Sequence, residues 1–140
     1  MRNQSMRCRT VLVLLVAGLT IGCHEYFQLT RQTATFADMQ NISRELFDSC
    51  HETGTLSEEV ASRIASQYNN GKDRWGNPFL FHYRDHPACS FILVSLGSDG
   101  IIDVDDITIY FEKRREDIVG HLDRDIVFRD GMWITRASAK

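Results

Sequence analysis

The densest group of chemically useful side chains lies near the middle of the chain. Asp99, Asp103, Asp105 and Asp106 put four carboxylates within eight residues, with Gly97 and Gly100 beside them. Carboxylates this close repel one another unless a cation or solvent separates them. A hard cation such as Ca²⁺ takes six to eight oxygens, and glycines let backbone carbonyls turn toward it. A solvated acidic turn is the other reading of the same residues. An EF-type register places Asp99 and Gly100 at loop positions five and six, Asp103 at nine and Asp106 at twelve. It leaves Ser95 and Gly97 at positions one and three, where they supply little. Only that register needs Asp103 as a ligand or water holder.

The remaining candidates for chemistry are weaker. His82 and His86 have helical zinc spacing, but Asp85, Pro87 and the β-rich surroundings make the segment a loop, where that spacing has no meaning. Cys50 precedes His51, yet neighbours in sequence do not face each other on a helix, and Cys50 sits on an apolar stripe. Glu58 and Glu59 read as acids of a helix start, and Lys113-Arg114-Arg115 as a solvated edge. No nucleophile elbow, phosphate loop or HExxH pattern is present, so no catalytic residues are expected and the chain does not read as an enzyme.

The N-terminus carries its own chemistry. Arg2, Arg7 and Arg9 precede the apolar run Val11 to Ile21, with no acid before Glu25. This is a charged region followed by a core too short for the roughly 20 residues of a bilayer span. The run ends Leu19-Thr20-Ile21-Gly22-Cys23, which resembles the bacterial lipobox, with Thr20 where an aliphatic residue is usual. The resemblance implies cleavage before Cys23, diacylglycerol and palmitate-type acylation on it, and an exported protein anchored to the cell envelope. His24 in place of Asp implies the outer membrane, facing the periplasm, in a Gram-negative host. An ordinary secretory signal near a cysteine is the alternative.

On that reading residues 1–22 are a signal peptide, 23–33 a tether and 34–140 one domain. Removing 22 of 140 residues leaves 118, enough for one modest core. All 19 acids stay while three of the 16 basic residues leave, giving a net charge of −6, a poor match for nucleic acid. Cys8 leaves with the signal and Cys23 takes the lipid. Cys50 and Cys89 therefore remain as a disulfide pair in an oxidising compartment.

The elements that must position these groups follow from periodicity. Phe36, Met39, Ile42, Leu46, Phe47 and Cys50 form one helical stripe, broken at Gly54. Ser57 caps a second helix with Val60, Ile64, Ala65 and Tyr68 inward, ended by Asn70-Gly71. Phe79 to Phe81, Phe91 to Val94 and Ile107 to Phe111 read as strands. Ile126 to Phe128 and Met132 to Ile134 flank Asp130-Gly131 as a C-terminal hairpin. The expected fold is α+β, N-terminal helices packed on a small antiparallel sheet.

Two motifs in order, Asp73-Arg74-Trp75-Gly76-Asn77-Pro78 and Ser95-Leu96-Gly97-Ser98-Asp99-Gly100 followed by Asp103, Asp105 and Asp106, carry a resemblance. Over residues 35 to 110 the chain resembles the C-terminal domain of the major pseudopilin (protein G type) of type II secretion systems. The departures are Arg74 for Pro, an acidic loop about one residue short, and an N-terminus without a prepilin site and long apolar filament helix. The resemblance implies one structural Ca²⁺ held by the backbone carbonyls of Leu96 and Ser98 and the carboxylates of Asp99, Asp105 and Asp106. It also implies a structural or interaction role related to protein secretion, with secretion or pilus-like machinery as partner. The alternative is a stand-alone periplasmic enzyme or ligand-binding lipoprotein with a degenerate EF-type calcium loop.

Overall fold

A computed structural model describes residues 3–84, 89–114, 116–118 and 122–137. Two compact units divide at Arg31 and Gln32. Helix α1, Asn3–Thr53, contains all of the first unit's described residues and enters the second. Residues 23–33, expected as a tether, are helical within it.

In the second unit α1 buries Met39, Ile42, Leu46 and Cys50 of the stripe that periodicity marks, with its Phe36 and Phe47 half-buried, and the polar Gln32 and Thr35 are buried as well, at three- and four-residue steps. Gly54 ends the helix. Its φ of +76° is a left-handed cap that places its N–H 2.7 Å from the Cys50 carbonyl. Helix α2, Glu58–Ser66, opens on Ser57, whose Oγ accepts from the Val60 N–H at 3.3 Å, and it buries Ala61 and Ile64.

Five strands follow: β1 Leu80–Arg84, β2 Ser90–Ser95, β3 Glu116–Ile118, β4 Ile126–Arg129 and β5 Met132–Ala137. Their order is β1-β2-β4-β5-β3. The first four in that order are antiparallel, as expected, and β3 adds a parallel edge against β5 that the polar Glu116-Asp117 pair does not announce. Asp130 and Gly131 both take positive φ, +49° and +84°, and close the β4–β5 hairpin tightly. The Asp130 carboxylate also accepts from the Phe91 N–H at 2.8 Å and the Ser90 hydroxyl at 3.0 Å, fastening that turn to the start of β2. Beside it Cys89 is disulfide-bonded to Cys50, with Cα atoms 5.7 Å apart, joining the end of α1 to the sheet.

Strand β2 is buried on both faces. Phe91 and Leu93 meet α1 and α2, together with Ile126 and Phe128 of β4. Ile92 and Val94 face the other way with Tyr110, Val127 and Ile134, under Leu96, Val104, Ile107 and Phe111. The segment from 96 to 111 is therefore the cover of the sheet's second face. Its end departs from expectation, for Ile107–Phe111 is a short 3-10 helix and not a strand. Asp106 causes this by accepting the Thr108 N–H on Oδ1 at 2.8 Å and the Ile109 N–H on its own carbonyl at 3.1 Å. Arg129 holds the other end, its guanidinium donating to the carbonyls of Tyr110, Phe111 and Lys113 at 3.0, 2.6 and 3.1 Å.

Candidate cation loop and its clasp

The site begins at the Asp73 turn. Asp73 is fully buried, and its Oδ1 accepts the backbone N–H groups of Trp75 and Asn77 at 3.0 and 2.8 Å. Its Oδ2 accepts the Ser95 hydroxyl at 2.8 Å and the Asn77 amide at 3.4 Å. A buried carboxylate needs this many donors to offset the loss of water. Gly76, at φ +97°, completes the turn. The same Asn77 amide donates to the Gly97 carbonyl at 2.8 Å. Its Oδ1 lies where a Cβ at Gly100 would come within 2.8 Å. The two motifs that are separate in sequence are thus one clasp. Asp73 grips Ser95 at the end of β2, and Asn77 grips the first turn of the acidic loop.

Arg74, the residue standing where the resembled pattern has Pro, docks this turn on α1. Its guanidinium Nε and Nη2 donate to the two oxygens of Asp38 in a fork at 2.8 and 3.1 Å, and its backbone N–H donates to Thr35 Oγ1 at 3.1 Å. Gly97, at φ +66°, is demanded by a close approach, since a Cβ there would stand 2.7 Å from the Arg124 carbonyl oxygen and 2.8 Å from that of Leu122.

Along the loop, Asp99 Oδ1 accepts the Ile101 N–H at 3.0 Å. Asp106 caps the 3-10 helix, and the Thr108 N–H holds its carboxyl below the usual carboxylate range. Asp105 is exposed. The carbonyls of Leu96 and Ser98 accept no hydrogen bond among the described residues. All five expected ligand groups are therefore hard oxygens of the kind calcium prefers, and Asp99 and Asp106 each have one oxygen committed to a local turn. The three carboxylates do not form a cluster, for no three Asp, Glu, His or Cys side chains among the described residues are gathered to hold one ion.

Asp103 has other work. Its Oδ2 accepts the Asp125 N–H at 2.9 Å, its own N–H donates to Asp125 Oδ2 at 2.9 Å, and Arg124 Nε lies 3.2 Å away. The Tyr110 hydroxyl also donates to Asp125 Oδ2. Asp125 is fully buried and its Oδ1 is without a partner among the described residues. Burial pushes its carboxyl above the usual value, a rise that the Tyr110 hydrogen bond opposes; burial likewise raises the Tyr110 phenol. This strap, invisible in the sequence pattern because Asp125 stands 22 residues from Asp103, takes the residue that an EF-type register needs. The segment entering the loop is strand β2, where an EF-hand requires a helix.

The other candidates separate. His82 lies on β1, edge-on to Phe111, so it has no helical partner spacing, and His86 falls outside the described residues. Cys50 is bonded to Cys89 and offers no nucleophile. Glu58 and Glu59 occupy the first turn of α2. Lys113 lies 5.7 Å from the Tyr110 ring centre, Arg114 is exposed, and Arg115 is outside the described residues. Cys23 is an exposed, unbonded thiol on α1. No helix among the described residues is long and apolar enough to cross a membrane. No family model, no curated protein and no solved structure matches the chain.

Proposed function

We propose that the chain is an exported lipoprotein, anchored through Cys23, whose folded unit is a calcium-stabilised pseudopilin-type domain. Its role is structural or interactive, related to type II protein secretion, and it is not an enzyme. The observation that carries this reading is the clasp. The two motifs behind the resemblance meet through Asp73–Ser95 and Asn77–Gly97, so they act as one device that presents the acidic loop. Calcium, held by the carbonyls of Leu96 and Ser98 and by Asp99, Asp105 and Asp106, would relieve the repulsion between those carboxylates. Crosslinking in intact cells tests the role, with recovery of secretion or pilus-like components expected. Capture of none, with the protein soluble in the periplasm and unacylated, would overturn it.

The second reading, a ligand-binding lipoprotein, is favoured by one observation. Asp105 and Asp106 border a cleft of about 860 Å³ otherwise rich in apolar side chains. Its mark would be a small molecule that copurifies with the domain.

A further inference from the structure

Among the described residues the sheet stops at β1, whose outer edge has no strand paired to it. The 860 Å³ cleft lies along this edge. One wall is α2, which presents Ala61, Ser62, Ala65 and Ser66, side chains too small to fill the space; Ile102 and Ile107 also line the cleft, as do the buried Leu46 and Leu93. A second hollow of about 400 Å³, lined by Glu58, Phe81, His82 and Tyr83, shares Glu58 and Phe81 with the first. Together they follow the chain from Phe79 through Tyr83 of β1. The carboxylates on their walls are Glu58, Asp105 and Asp106, and neither hollow is lined by a Lys or Arg.

An unpaired strand edge presents a row of backbone N–H and C=O groups, and proteins normally block such an edge with lysines, a proline, a bulge or a tightly packed helix. Here the helix beside the edge leaves a gap, and the charged side chains that line it, apart from His82, are carboxylates. We propose that β1 takes an extended segment of a partner protein as a sixth strand, a segment of alternating apolar and Lys or Arg residues. The added strand's main chain bonds the β1 edge, and its alternate side chains point to opposite faces, the apolar ones into the space beside Ala61 and Ala65 of α2 and the cationic ones toward Asp105 and Asp106 of the loop on the other face. Calcium on Asp105 and Asp106 would compete with those cations, so binding is measured both with calcium and with chelator.

The test uses a labelled octapeptide of alternating valine and lysine, titrated by fluorescence anisotropy with the full-length chain in detergent micelles. The expected result is saturable binding in at least one of the two conditions, at least tenfold weaker for the valine–glutamate peptide. Two further peptides, N-methylated at the odd or at the even positions, leave the protein untouched and remove the amides of one strand edge each. One of them should bind at least tenfold more weakly than the parent. Ala65→Leu should block the lysine peptide by filling the cleft that its valines enter. Equal binding of the lysine and glutamate peptides, undiminished binding of both methylated peptides, or no binding in either condition would overturn the proposal.

Discussion

Replacing Asp73 by Asn removes the charge from the centre of the clasp while keeping its shape. The carboxylate is fully buried and accepts from the Trp75 and Asn77 N–H groups, the Asn77 amide and the Ser95 hydroxyl. An asparagine supplies one acceptor oxygen and turns a donor toward the other partners. If its oxygen keeps the two backbone N–H groups, its NH₂ must face the Asn77 amide, and only the Ser95 hydroxyl can rotate to accept. Hydrogen bonds to a charged group are worth about 1.5 to 3 kcal/mol each, and a donor left unmet in the interior costs about 1 to 3 kcal/mol. Asp73→Asn should therefore cost about 3 to 5 kcal/mol. For a domain near 100 residues, at about 4 °C per kcal/mol, that is a fall of about 12 to 20 °C in melting temperature. Ser95→Ala, which deletes one donor and leaves Asp73 its backbone partners, should cost about 1 kcal/mol, and the double variant should cost less than the sum because the two residues share a bond. Thermal and urea unfolding of the full set measure this. A loss below about 1 kcal/mol for Asp73→Asn, or strict additivity, would refute the idea that this carboxylate holds the two motifs together.

Three further outcomes follow from the same geometry. Reducing the Cys50–Cys89 bond, which joins residues 39 apart, should lower stability by about 4 kcal/mol on the chain-entropy model, read as a shift of the urea midpoint with and without reductant. Asp125 has a carboxyl raised in the folded state, so its contribution to stability is fully present below the unfolded carboxylate value and lost as pH rises through the folded one. Asp125→Asn, titrated by unfolding between about pH 4 and 7, should show a flatter profile than the parent; identical profiles would contradict this assignment. Arg74→Pro should release the turn from Asp38 and Thr35, costing about 1 to 3 kcal/mol by urea unfolding, whereas Arg74→Lys should recover only part because it lacks the fork.

Much of the frame is legible before folding, because it is periodic or local. The α1 stripe from Met39 to Cys50 needs only three- and four-residue steps, and Asp130-Gly131 needs only two adjacent residues that tolerate positive φ. Legibility fails where a distant partner decides. Ile107 to Phe111 has strand composition, yet Asp106 at one end and Arg129 from another strand at the other wind it into a 3-10 helix. The parallel edge at Glu116–Ile118 carries no apolar alternation to mark it. Within the site, Asp73 and Asn77 stand out as a turn, but their bonds to Ser95 and Gly97 span about 20 residues and have no local signature. Asp38 and Asp125 are ordinary acids in sequence. Only burial beside Arg74 and beside Tyr110 gives them meaning.

The account's central claim is tested most directly by calcium titration of the purified protein, followed by calorimetry and by melting. One Ca²⁺ per chain should bind, and at a hundredfold over its dissociation constant it should add about 2.7 kcal/mol, or about 10 °C. Mg²⁺, with its small octahedral shell, should restore little of this after chelation. Asp99→Ala and Asp106→Ala should each remove the calcium increment. Asp103→Ala should lower the baseline stability, by freeing Asp125, and yet keep the increment. No calcium effect on the intact chain would contradict the claim and leave the loop a solvated acidic turn, and loss of the increment in Asp103→Ala with retention in Asp105→Ala would transfer the site to the EF-type register.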